Sequence, residues 1–107
     1  MKLIVAIVNT DDCHAVLGEI TRNGFSATKL STSGGFLRAG NTTLIIGAED
    51  EKVSEIVDIF KQFSSKRTEM IETSPSITGE AFLTMPVEVT VGGATVFVLD
   101  VEQFYKL

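Results

Sequence analysis

The chain has one cysteine, Cys13, and one histidine, His14, among its 107 residues. A single cysteine excludes an intramolecular disulfide and any cysteine-rich metal site. A lone histidine cannot supply a zinc site. Basic charge is also scarce: nine Lys and Arg against fourteen Asp and Glu leave a net charge of −5. Affinity for DNA or RNA comes largely from clustered Lys and Arg, so no nucleic-acid polymer is expected as a partner. One compact anionic ligand, held by local groups, remains compatible with this balance. No apolar run approaches the length of a membrane span, and no membrane insertion is expected. Met1 to Val8 is apolar but lacks a basic stretch and a small-residue cleavage site. A first strand is a simpler reading than a signal peptide, and the expected compartment is the cytoplasm. No linker, low-complexity segment or strong repeat divides the chain, which reads as a single domain over residues 1–107 with room for one modest core.

What is present is ordinary globular composition, 44 % hydrophobic and 21 % charged, and a clear alternation of periods. Lys2 to Val8 is rich in aliphatic and β-branched residues and predicts a buried strand. Thr10, Asp11 and Asp12 suit a helix start, where their oxygens meet free amides. Cys13, Val16, Leu17 and Ile20 come next at helical spacing, and Asn23-Gly24 ends the helix. Phe25 to Thr32 and Thr42 to Ala48 predict strands on either side of a glycine-rich turn, Ser33 to Gly40. Glu49 and Asp50 open a second helix with Val53, Ile56, Val57, Phe60 and Phe63 on one face, and Ser64 to Arg67 close it. Thr68 to Glu72 is a weaker strand. Thr73 to Thr84 is a long polar loop, of the kind that usually carries function. Pro86 to Val91 and Ala94 to Leu99 predict a hairpin, with Gly92-Gly93 as its positive-φ turn.

This order, β-α-β-β-α-β plus a C-terminal hairpin, predicts an α+β ferredoxin-like sandwich. Two helices can cover only one face of its sheet. The other face is also aliphatic and is expected to be buried by other subunits.

Four groups of residues are candidates for chemistry. Cys13 and His14 are adjacent on a helix and point about 100° apart, which favours a core cysteine and a surface histidine over a nucleophile–base pair. The acidic groups Asp11-Asp12 and Glu49-Asp50-Glu51 stand at helix starts and have no partner base. The chain therefore reads as a non-enzyme without cofactor or metal. The third group differs in kind. Gly34, Gly35 and Gly40 flank Phe36, with Lys29 and Arg38 as the nearby positive charges and Thr28, Thr32, Asn41, Thr42 and Thr43 as polar groups. Glycines let backbone amides approach a ligand, and an aromatic ring can stack on a base. A plain turn anchored by Phe36 fits the same residues. The pattern is neither a dinucleotide fingerprint nor a Walker loop. The fourth group, Val91 to Val98, reads more simply as a hairpin with Phe97 in the core.

Ala27-Thr28-Lys29-Leu30, Gly34-Gly35-Phe36-Leu37-Arg38-Ala39-Gly40-Asn41-Thr42-Thr43, Pro86-Val87-Glu88-Val89 and Val91-Gly92-Gly93-Ala94-Thr95-Val96-Phe97-Val98 together resemble the PII-like receptors of cyclic di-AMP, called PstA or DarA. The resemblance covers essentially the whole chain. It implies a homotrimer that binds cyclic di-AMP in the clefts between subunits and signals to a downstream protein partner, which the sequence does not name. The turn between strands two and three matches the family's T-loop, and Thr73 to Thr84 its enlarged B-loop. Carried over residue by residue, the ligand contacts are Thr28, Gly35, Phe36, Leu37, Asn41 and Gly47 from one subunit, with Phe97 from a neighbour. Two positions depart from the pattern. Ser26 stands where well-known members have an arginine that contacts ligand, and Lys106 where some have a glutamine. The alternatives are a trimer of the same kind sensing a different nucleotide, or a metal-binding or catalytic trimer on the same fold. If Thr28 lies opposite Gly47, facing residues of strands two and three sum to 75. One base could then approach Gly47 while Thr28 and Asn41 bond its edge, with Lys29 on the opposite face.

Overall fold

A computed structural model describes residues 1–30, 40–72 and 86–107. The fold is mixed α+β with antiparallel sheets, compatible with the ferredoxin-like expectation. In chain order the elements are β1 (Lys2–Asn9), α1 (Thr10–Arg22), β2 (Thr28–Leu30), β3 (Asn41–Ala48), a 3-10 turn (Asp50–Lys52), α2 (Val53–Ser64), β4 (Arg67–Glu72), β5 (Pro86–Val91) and β6 (Ala94–Asp100).

β1 lies near the middle of a four-stranded sheet ordered β2-β3-β1-β6. Its register runs from Lys2 opposite Ala48 to Asn9 opposite Asn41 on one side, and from Lys2 opposite Asp100 to Val8 opposite Ala94 on the other. Alternation then sorts the side chains. Ile4, Ala6 and Val8 of β1, with Leu44, Ile46 and Ala48 of β3, are buried beneath the helices. They meet Cys13, Val16 and Ile20 of α1 and Ile56, Ile59 and Phe60 of α2 in a single core.

Asn9, rather than Thr10 or an aspartate, caps α1: its side-chain oxygen accepts the Asp11 amide at 2.9 Å. Thr10 instead begins the helix. Its amide donates to the Gly40 carbonyl at 2.6 Å, and its hydroxyl meets that of Thr42 at 2.9 Å. The start of α1 is thereby tied to the start of β3. At the other end the Phe25 amide donates to the Ile20 carbonyl. Phe25 therefore serves the helix terminus, and the second strand starts later than expected, at Thr28.

The C-terminal hairpin is a correction. β5 pairs with β4, as a separate two-stranded ribbon running from Arg67 opposite Val91 to Glu72 opposite Pro86. β6 leaves β5 and joins β1. Gly92 and Gly93 do take positive φ, +80° and +102°, but they turn a corner between two sheets. The physical reason lies in β1. An apolar strand needs partners for its backbone groups on both edges, and β3 supplies only one. Seven residues of β6 supply the other. Thus β6, and not Thr68 to Glu72, is the fourth strand of the main sheet.

The corner is locked from both sides. The Gly93 amide donates to the Ser64 carbonyl at 2.8 Å. Arg67, at the root of the ribbon, donates through both terminal nitrogens to the Asp12 carboxylate, at 2.7 and 3.2 Å, and to the Ser65 carbonyl at 3.2 Å. Asp12 is buried, at 7 % exposure, so the two-pronged pairing satisfies a carboxylate that would otherwise be stranded.

Candidate functional site

The face of the sheet away from the helices carries the residues singled out from the sequence. Here β2 and β3 pair with Thr28 opposite Ile45, Lys29 opposite Leu44 and Leu30 opposite Thr43. Facing residues sum to 73 and not 75, which corrects the expected register. The shift is two residues, so every side chain keeps its face. Thr28 therefore shares the open face with Asn41, Ile45 and Gly47, and Lys29 falls in the row of buried Leu44. Lys29 is thus removed from the open face.

Directly opposed residues form a row across all four strands: Thr28, Ile45, Val5 and Phe97. With strands about 4.8 Å apart, Thr28 and Phe97 stand roughly 14 Å from each other at opposite edges. Phe97 is 51 % exposed. That overturns its bland reading as a core residue of a hairpin. Asn41 and Gly47 begin and nearly end β3, six residues apart. At about 3.4 Å per residue the gap is roughly 20 Å. One base cannot touch both, and the idea of a single base held by Thr28, Asn41 and Gly47 of one chain is corrected. Gly35, Phe36 and Leu37 lie outside the described residues, as do Thr32, Gly34, Arg38 and the loop from Thr73 to Thr84.

Among the described residues Gly47 has no neighbour that demands a glycine. A Cβ built there would find only the Met1 sulfur, at 3.9 Å. Gly47 thus leaves the backbone of β3 open to close approach at this point of the face.

At the Asn41 end lies a cavity of about 630 Å³. It is lined by Ile7 and Asn41 of the sheet, Val57, Phe60 and Lys61 of α2, and Ser65, Lys66 and Gly92 to Val96. The sequence did not reveal this grouping. Thr95 lines the same cavity as Asn41 because β6 pairs with β1, whereas the expected hairpin would have carried it elsewhere. The exposed apolar residues of the open face extend from this end: Leu30, Phe97 and Leu99 are 36, 51 and 49 % exposed, and Leu3, Val5, Ile7 and Ile45 are half-buried.

Cys13 is buried in the core and His14 is exposed. Burial pushes the Cys13 thiol up from its ordinary pKa, and the Lys29 charge opposes this only in part. Thiolate is the reactive form. Native protein at neutral pH should therefore be alkylated by iodoacetamide far more slowly than protein in guanidinium chloride; equal rates would place Cys13 at the surface. Among the described residues no three His, Cys, Asp or Glu side chains gather as a metal site. No helix among the described residues is long and apolar enough to cross a membrane.

The described residues thus present an open sheet face with a cavity at one end, lined by apolar and polar residues together. The family model of the cyclic-di-AMP receptors matches residues 1–107. The chain belongs to the cyclic-di-AMP receptor family. It is also similar to a functionally unknown protein from Pediococcus pentosaceus ATCC 25745, known from a crystal structure. The two are 42 % identical, with a TM-score of 0.82 over 99 % of this chain and 96 % of that one.

Proposed function

We propose that this protein is a PII-like signal-transduction protein of the cytoplasm that binds cyclic di-AMP in the clefts between the subunits of a homotrimer. The observation that carries the reading is the match to the receptor family over all 107 residues. The spread of the site residues over the open face supports its inter-subunit form. Thr28 and Gly47 sit at one end of β3, Asn41 and its cavity at the other, and Phe97 on the far edge strand. In this reading a cleft draws Thr28 and Gly47 from one subunit. Asn41, the preceding Gly35, Phe36 and Leu37, and Phe97 come from the next. Gly47, open on its own chain, lets a base approach, and Phe36 supplies a ring on which a base stacks. Binding at this position changes the surface that a downstream protein partner meets.

A calorimetric titration tests the proposal, with ATP and cyclic di-GMP as controls. Cyclic di-AMP should bind saturably, one molecule per chain. Asn41→Ala should weaken binding about tenfold, the equivalent of one well-placed hydrogen bond, without lowering the melting temperature, because Asn41 is exposed. Preference for ATP over cyclic di-AMP would instead favour the reading of a trimer for a different nucleotide, to which the serine at position 26 already points. Absence of binding to any of the three would overturn the proposal.

A further inference from the structure

The cavity beside Asn41 has an unusual charge for this molecule. In a chain of net charge −5, the described residues of its wall include two lysines, Lys61 and Lys66, and no acidic residue. Neither lysine enters an ion pair among the described residues. Lys61 belongs to the last turn of α2, and Lys66 stands just beyond the end of that helix. A helix end favours cations nearby, and that explains their sign but not why the two face one cavity.

The geometry of α2 puts Lys61 there. Val57, Phe60 and Lys61 are spaced i, i+3 and i+4, so they share one helical face and line the same cavity. Phe60 is 2 % exposed and fixed in the core. Lys66 is placed by the corner, since the Gly93 amide is bonded to the Ser64 carbonyl two residues earlier. Asn41 and Thr95 line the same cavity. Apolar residues, neutral polar residues and two lysines around one cavity suit a ligand with a flat apolar part and a phosphate.

We propose that Lys61 and Lys66 are ligand-binding residues that hold the phosphate of the nucleotide in this cavity. The assignment rests on the nucleotide-binding reading above. Lysine ammoniums are point donors on flexible stems, able to track a phosphate without bidentate geometry.

The test is a titration of wild type, Lys61→Ala, Lys66→Ala and the double variant with cyclic di-AMP, with ATP and with uncharged adenosine, each at two salt concentrations. Each single change should weaken binding of the phosphate-bearing ligands about tenfold and the pair about a hundredfold, as for loss of charge-assisted contacts. Adenosine binding should not change. The salt dependence of the double variant should be shallower than that of wild type, an effect that a structural role would not produce. If wild type binds cyclic di-AMP and the double variant binds it equally well, the lysine assignment is wrong while the proposed function stands. If ATP alone binds and depends on the lysines, the assignment stands and the cyclic di-AMP reading falls. If neither phosphate-bearing ligand binds wild type, both are overturned.

Discussion

Gly92→Ala should destabilise the protein by about 3 kcal/mol, well beyond the roughly 1 kcal/mol of an average substitution. Two effects add at this position. The backbone is at φ +80°, where a side chain costs about 1–2 kcal/mol. A Cβ would also stand 2.6 Å from the Arg67 terminal nitrogen, 2.7 Å from the Ser65 carbonyl oxygen and 3.2 Å from the Asp12 carboxylate. Arg67 can swing away, but the Ser65 oxygen is backbone and cannot. If Arg67 leaves, the buried Asp12 carboxylate loses its counter-charge, and an uncompensated buried charge is expensive. Gly93→Ala is the matched control. Its φ is +102°, but the nearest atom to a Cβ there is the Lys66 Cβ at 3.9 Å. It should lose only the conformational share, about 1–2 kcal/mol. Urea unfolding of the three proteins at one fixed concentration reads the difference. Equal losses at the two positions would show that the Asp12–Arg67 lock at the corner contributes nothing.

That corner also shows where reading the sequence stops. Gly92-Gly93 announces two positive-φ residues, and the structure has them. A tight hairpin and a turn between two sheets need the same torsions, so local chemistry does not separate them. The choice is made by β1, a long-range partner. The helices were easier to read, because Val16 and Ile20, or Ile56 and Phe60, must repeat at 3.6 residues to reach a core. Faces of β3 were legible for a similar reason: Leu44, Ile46 and Ala48 alternate with Asn41, Ile45 and Gly47. Register was not. A slip of two residues leaves every face unchanged, so the hydrophobic pattern could not distinguish a sum of 73 from 75. The candidate site divides in the same way. Thr28, Asn41 and Gly47 were found through a family resemblance and do share a face, but their separation along β3 depends on strand length and rise. No local signal marks Lys61 and Lys66 as lining a cavity with Asn41, because that depends on how α2 packs against the sheet. Asp12 read as an ordinary first-turn acid, and no local signal marks Arg67, 55 residues away, as its partner.

Val5→Asp should convert the proposed trimer into monomers at micromolar concentration. Val5 is the central residue of the open face, with Ile45 beside it on one strand and Phe97 on the other. Its side chain points away from the core that Ile4 and Ala6 enter, so an isolated chain has little reason to object to a carboxylate there. The change would then cost about 1 kcal/mol, mainly through strand propensity. In a trimer that buries this face the outcome is different. Each trimer would have to desolvate three carboxylates among Leu3, Ile7, Ile45 and Phe97, and no described cation shares their rows. Burial of an unpaired charge costs several kcal/mol per group, enough to dissociate an assembly held by apolar contact. Light scattering should show a trimer mass for wild type and a monomer mass for the variant. Far-ultraviolet circular dichroism should remain that of a folded α+β protein, and cyclic di-AMP binding should be lost together with the clefts. Val5→Thr, which keeps the branched shape without the charge, should remain trimeric. A Val5→Asp protein that stays trimeric would show that this face is not the interface, and a monomeric wild type would remove the inter-subunit cleft from the proposed function.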